Sequence, residues 1–187
     1  MESRLAAIPP EFRRCDLGTL EPRTDLHPKQ ASGLRAIQAN PRGSFLLAGR
    51  NGVGKTLLAW SLYREAAIYA DRSVHAFGLA DLFDEYRRAE TAVGQDWQPR
   101  LVPNALRKRE GSHFVFLDEF EKARRSEFAS EMLFRLVDAA YAFRQQLVIT
   151  TNLTLPALAD HWSAIDPVYG DSIARRLRDM CTYVELF

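Results

Sequence analysis

The chain has 187 residues, of which 25 are Lys or Arg and 24 are Asp or Glu, giving a formal net charge of +1. With 47% apolar and 26% charged residues it has the composition of one soluble globular domain, which excludes a mainly disordered chain and leaves the global electrostatic field weak. No apolar run approaches the roughly 20 residues of a membrane span, and the start is too short in apolar residues for a signal peptide, so a cytoplasmic location without a membrane partner is expected.

Residues 1–30 show little periodicity and read as an irregular leader lying across a domain. A short helix is predicted over 31–38, closed by the turn residues Asn40-Pro41-Arg42-Gly43. The leader and this helix, residues 1–40, form one unit, and residues 41–187 form the core. Ser44-Phe45-Leu46-Leu47-Ala48 is a short apolar run between two glycines, as expected of a strand buried on both faces of a parallel sheet. A helix is predicted from Thr56 to about Ala70, a second strand over Val74–Phe77 and a second helix over Leu79–Ala89. Segment 90–112 is polar, with a basic group at Arg100, Arg107, Lys108 and Arg109. His113–Leu117 is a third strand. Phe128–Arg144 is an amphipathic helix, with Phe128, Met132, Leu136 and Ala140 at four-residue spacing. Leu147–Thr150 is a fourth strand, a helix is expected from about Asp171 to Asp179, and Tyr183–Phe187 is a fifth strand. Strands alternating with helices imply an α/β fold with a mostly parallel sheet. The two cysteines, Cys15 and Cys181, lie far apart without metal-ligand spacing and read as reduced thiols.

Gly49-Arg50-Asn51-Gly52-Val53-Gly54-Lys55-Thr56 matches G-x-x-x-x-G-K-[ST] in full, between a predicted buried strand and a helix. The glycines let the backbone curl so that successive N–H groups face phosphate oxygens, and the helix N-terminus adds its positive dipole end. Lys55 is placed to reach the β- and γ-phosphates, and Thr56 to ligate Mg²⁺. Gly49, Asn51, Gly52, Val53, Gly54, Lys55, Thr56 and Leu57 are therefore the nucleotide-binding candidates.

Phe114-Val115-Phe116-Leu117-Asp118-Glu119 ends a buried strand in two carboxylates, at the strand end where parallel sheets bind ligands. Asp118 is the second Mg²⁺ candidate, and Glu119 the general base that polarises an attacking water. Leu147-Val148-Ile149-Thr150-Thr151-Asn152 also ends in hydrogen-bonding side chains. Asn152 is either a sensor of the γ-phosphate or a turn and capping residue. In Ile173-Ala174-Arg175-Arg176-Leu177-Arg178 the apolar residues face inward and three arginines project outward, as a solvated basic face or as an arginine finger for a neighbouring subunit.

Together these motifs resemble the AAA+ ATPases of the DnaC/DnaI helicase-loader and IstB transposition-helper group. The resemblance starts at Ile8-Pro9-Pro10-Glu11-Phe12-Arg13 and runs through the phosphate loop and Ala80-Asp81-Leu82-Phe83. It continues through Phe116-Leu117-Asp118-Glu119-Phe120 as Walker B, Ile149-Thr150-Thr151-Asn152-Leu153 as sensor 1, and Ile173-Ala174-Arg175-Arg176-Leu177 as the box VII helix. It implies a three-layer P-loop fold with a five-stranded parallel sheet in order 5-1-4-3-2. It implies ATP and Mg²⁺ as cofactors, ATP sites completed between subunits of a homo-oligomer, and Arg176 as the finger, with Arg175 its runner-up. It further implies action on DNA, with a replicative helicase or a transposase as partner. The basic residues Lys122, Arg124 and Arg125, with those of segment 90–112, are the candidates for DNA phosphates. Neither a helical lid domain nor a separate N-terminal partner-binding domain is expected within this length.

The residues that fit hydrolysis best are Lys55, Glu119, Asn152 and Arg176. The alternatives are a nucleotide-switched adaptor with little turnover of its own and a P-loop kinase; the latter leaves Asp118-Glu119 and Asn152 without a role.

Overall fold

The computed structural model describes residues 2–21, 28–68, 72–91 and 112–186. Five strands, β1 (Ser44–Ala48), β2 (Arg72–Gly78), β3 (Ser112–Asp118), β4 (Gln146–Thr151) and β5 (Cys181–Glu185), form one sheet in the order β2-β3-β4-β1-β5. Every neighbouring pair is parallel, with Leu46 opposite Ile149 and Tyr183, and Phe116 opposite Ala76 and Val148. This is the strand order that the family resemblance implies. The helices are α1 (Glu2–Ala6), α2 (Pro28–Ala39), α3 (Lys55–Ile68), α4 (Leu79–Thr91), α5 (Glu127–Ala142), α6 (Leu155–Ser163) and α7 (Pro167–Met180).

The apolar strand runs are buried on both faces because side chains alternate along each strand. Phe45, Leu47, Phe114, Phe116 and Val148 point to one face, where they meet Leu34 and Ile37 of α2 and Leu58, Leu62 and Tyr63 of α3. Leu46, Val115, Leu117, Leu147 and Ile149 point to the other, where they meet Leu82 and Phe83 of α4, Leu133 and Val137 of α5, Trp162 of α6 and Leu177 of α7. The result is three layers, with a helical layer on each side of the sheet.

Several boundaries differ from the sequence expectation by a residue or more. The largest difference is α6, where the sequence pattern sets no helix. Thr154 caps it by accepting from Ala157 N at 3.4 Å, and Leu158 and Trp162 bury its inner side. A second difference is the start of α7 at Pro167, where the Asp166 carboxylate accepts from the Val168 and Tyr169 N–H groups. Gly170 lets the two helices touch: a Cβ there would lie 2.4 Å from the Ser163 nitrogen.

The leader packs across α3. Ile8 and Leu17 are buried, Phe12 stacks on Trp60 at 6.5 Å, and Asp16 pairs with Arg64 at 3.1 Å. The Gln38 side chain donates to the carbonyls of Leu17 at 2.9 Å and Leu20 at 3.0 Å, tying the leader to α2. Among the described residues no helix is long and apolar enough to cross a membrane.

Candidate nucleotide site

The loop between β1 and α3 takes a shape that only glycine adopts easily. Gly52 has φ of 81° and Gly54 φ of 98°, both in the left-handed region. Gly49 is needed for a different reason: a Cβ there would stand 3.0 Å from Leu186 and from Val53. Lys55 begins α3 and turns its side chain back under the loop. Its Nζ donates to Gly49 O at 2.8 Å, to Arg50 O at 2.9 Å and to Asn152 Oδ1 at 2.8 Å. Burial pushes the Lys55 ammonium below its usual range, against the pull of Glu121, Asp118 and Glu119. The nearby carboxylates thus favour the charged form of a cation that lies under the loop.

The C-terminal ends of β3 and β4 supply the rest. Asp118 Oδ1 lies 3.4 Å from Thr56 Oγ1 and also accepts the Thr150 hydroxyl. Adjacent oxygen ligands in an octahedral Mg²⁺ shell are about 3 Å apart, so Thr56 and Asp118 fit such an ion as hard oxygen donors, with Thr150 steadying the carboxylate. Glu119 follows in the left-handed region at φ 55°, an uncommon and strained choice for a residue with a side chain. Its N–H donates to Thr150 Oγ1 at 3.0 Å, and Phe120 N donates to Thr150 O at 3.0 Å. The Glu119 carboxylate is half exposed and paired with Lys122.

These groups line one cleft of about 240 Å³, together with Asn51, Gly52, Gly54, Leu57, Glu121 and Phe12 of the leader. It lies at the carboxyl ends of the strands, as ligand sites of parallel sheets do. A second cavity of about 200 Å³ also borders Gly52 and Gly54, with Leu20, Leu34, Leu58 and Leu186 as apolar walls and Glu21 and Gln30 as polar ones.

The fold therefore brings together the phosphate loop with Lys55 and Thr56, Asp118 with Glu119, and Asn152, from three segments of the chain. It also adds two residues to which the sequence reading gave no role. Thr150 joins Asp118 to Glu119, and Glu121 accepts from Asn152 Nδ2 at 2.6 Å. The other Glu121 oxygen, Oε2, is buried without a partner. Thr150 was legible only as one of the hydrogen-bonding residues that end β4, and nothing marked Glu121, since both act by where their side chains arrive in space.

The expected outward projection of three arginines needs correction. Arg175 and Arg178 are exposed, but Arg176 is not free. Its guanidinium donates to Asp138 of α5, at 2.9 Å from Nε and 2.7 Å from Nη2, and lies 4.8 Å from the centre of the Phe134 ring. The 3.6-residue turn of α7 points Arg176 toward α5 rather than to solvent. Arg124 and Arg125 are exposed beyond β3, as is Lys122 beside Glu119, whereas Arg100, Arg107, Lys108 and Arg109 lie outside the described residues. Neither cysteine is bridged, and burial pushes the Cys181 thiol up to about 12.

A five-stranded parallel sheet in this order, with a phosphate loop after β1 and an Asp-Glu pair after β3, defines the class: a P-loop core of the AAA+ kind. More particularly, the chain belongs to the IstB-like ATP binding protein family, whose model matches residues 1–186. Solved structures agree in fold. The DnaC helicase loader superposes with a TM-score of 0.72 at 19% identity, over 96% of this chain and 100% of that one. DnaI gives 0.75 at 18% identity, over 97% and 95%. AMPPCP-bound DnaA from Aquifex aeolicus gives 0.69 at 12% identity, over 96% of this chain but 51% of its own. No curated protein sequence matches the chain.

Proposed function

We propose that this protein binds ATP with Mg²⁺ in the cleft between β1 and β3, hydrolyses it, and uses the cycle to time an assembly on DNA in the cytoplasm. The observation that carries the reading is the convergence of Lys55, Thr56, Asp118, Glu119 and Asn152 on the cleft beside the left-handed glycines. In this reading the loop N–H groups and Lys55 hold the phosphates, while Thr56 and Asp118 hold the metal ion. The ion would neutralise charge on the phosphates. Glu119 positions water for in-line attack, and Asn152 leaves Lys55 to report on the γ-phosphate.

The family match and the folds of the helicase-loader structures support a role in a DNA transaction, with a replicative helicase or a transposase as partner. Residues 1–40 act in this scheme as a leader packed on the core of 41–187. A finger from a neighbouring subunit would complete each site. Arg175 is exposed and suited to that, whereas Arg176 would first have to leave Asp138.

One observation favours a switch with low turnover when alone. Glu119 is paired with Lys122, and Lys55 with Asn152, so both side chains exchange a partner before they serve a nucleotide.

The deciding experiment sizes the protein with a non-hydrolysable ATP analogue, with and without single-stranded DNA, and measures phosphate release beside Glu119→Gln. The expected result is a larger species with the analogue, and turnover that DNA stimulates and Glu119→Gln abolishes. A monomer under every condition would remove the assembly, and turnover unaffected by Glu119→Gln would remove the mechanism.

A further inference from the structure

All three donors of the Lys55 ammonium are engaged by the protein itself. Gly49 O and Arg50 O accept two of them and stay with the loop, while Asn152 Oδ1 accepts the third at 2.8 Å and belongs to a side chain that can turn. Asn152 passes the chain on, because its Nδ2 donates to Glu121 Oε1 at 2.6 Å. An ammonium only donates and a carboxylate only accepts, so these neighbours fix the amide with its oxygen toward Lys55 and its nitrogen toward Glu121. The three residues line one cleft, from the start of α3, the turn after β3 and the end of β4.

A terminal phosphate brings oxygens that only accept. To hold it, Lys55 Nζ and Asn152 Nδ2 both have to turn to it, and each now ends on a protein acceptor. Lys55 gives up a neutral amide oxygen, whereas Asn152 gives up a carboxylate. The second exchange is anion for anion, and a hydrogen bond to a charged group is the stronger kind. Glu121 has little else to hold it: its Oε2 is buried with no partner, so among the described residues the Asn152 amide is its one hydrogen-bond donor. Burial presses the Lys55 ammonium down, and Glu121 is the strongest of the charges that oppose this, which puts its charge within reach of the ligand that Lys55 serves.

We infer that Glu121 is a positioning residue, which competes with the third phosphate for the Asn152 amide and so sets how far the site prefers ATP to ADP. The inference rests on the proposed nucleotide reading and adds a regulator to it. With ADP, the loop N–H groups and Lys55 hold the two phosphates, and the Asn152 amide stays on Glu121. With ATP, the amide turns to the third phosphate and the carboxylate loses its donor. That loss weighs on ATP alone. The two affinities are thereby drawn together, so the bound nucleotide follows the ratio of ATP to ADP around the protein instead of locking on ATP.

The test measures equilibrium binding of ADP and of a non-hydrolysable ATP analogue to the whole chain. Glu121→Ala should tighten the analogue about tenfold and move ADP by no more than about twofold, the effect of removing one charged competitor for a single hydrogen bond. Glu121→Gln keeps the shape and an acceptor oxygen without the charge, so its gain should be smaller and in the same direction; it also serves if the alanine variant does not fold. In the Asn152→Ala background most of the gain from Glu121→Ala should disappear, because the residue acts through that amide. An equal shift of both nucleotides, or no shift of either, would overturn the role of Glu121, since a merely structural part does not move their ratio. A gain that persists in full without Asn152 would overturn it as well, by showing charge alone at work. Indifference of both nucleotides to Lys55→Ala would instead overturn the phosphate reading on which it rests.

Discussion

Replacing Thr150 by valine removes one hydroxyl and almost nothing else, yet that hydroxyl serves both carboxylates of the site. It donates to Asp118 and accepts the N–H of Glu119 at 3.0 Å, in a residue that is 1% exposed. Valine keeps the shape and the strand preference but leaves the partly buried Glu119 N–H unpaired and a carboxylate short of a donor. An unpaired buried group costs about 1–3 kcal/mol and a bond to a charged group contributes about 1.5–3, so a combined loss of about 3 kcal/mol is expected. With a urea m-value of about 2 kcal/mol/M for a domain of this size, the midpoint should fall by about 1.5 M at unchanged m. Glu119 also loses a partner that holds it at φ 55°, and Asp118 loses the group that orients it. Turnover should therefore drop by about 10- to 100-fold, the usual range for groups that orient a metal ligand. Thr150→Ser keeps the hydroxyl and should restore most of both losses. Urea unfolding followed by fluorescence, with phosphate release at saturating ATP, measures the two effects. A Thr150→Val protein with wild-type midpoint and turnover would refute the claim that this hydroxyl couples the two acids.

Arg176→Ala should cost about 1–2 kcal/mol in the same unfolding assay, since it strips Asp138 and Phe134 of a shielded guanidinium, whereas Arg175→Ala should leave the midpoint in place and lower only assembly-dependent turnover. The reverse pattern would assign the finger to Arg176. Glu121→Gln removes a negative charge whose Oε2 is buried beside the phosphate cleft, so a fluorescent ATP analogue should bind several-fold more tightly. Weaker binding would show that Glu121 serves the nucleotide rather than opposing it. Burial and the neighbouring His113 hold His75 down to about 4, so the folded protein refuses a proton that the unfolded chain accepts near 6.5. Stability present above pH 6.5 should then be lost as the pH falls toward 4. About 1–2 kcal/mol should go between pH 7 and pH 5, after allowance for solvent screening, and His75→Leu should flatten that slope in urea titrations.

The parts of the fold that were legible in the sequence are those carried by local pattern. Phe45–Ala48, Phe114–Leu117 and Leu147–Ile149 are apolar without interruption, and all are buried in the sheet. The glycine spacing of the phosphate loop could be read because its backbone shape is set by residues a few positions apart. Helix α6 was missed although Thr154, Pro156, Leu158 and Trp162 carry a cap and a helical spacing; the segment is short and follows the polar end of β4. The partner of Arg176 lies 38 residues away on another helix, which no pattern within α7 could indicate. Thr150 and Glu121 escaped for the same reason. Their roles arise where separate strands and helices cross, and only side-chain positions show which oxygen meets which donor.

The wall of the phosphate loop formed by Leu186 has a consequence for the order of events in synthesis. Gly49 rests against this residue, Leu186 N donates to Ala48 O at 2.7 Å, and Leu186 O accepts from Gln30. The loop's own sequence leaves the ribosome early, but one of its supports is made more than a hundred residues later. Contacts of such separation form late and slowly, and domains fold as units once their last strand is available. A nascent chain released only as far as β4 would carry the whole phosphate-loop motif without the surface that shapes it. Nucleotide capture should thereby wait until β5 has docked, and a product truncated before it should fail to hold ATP.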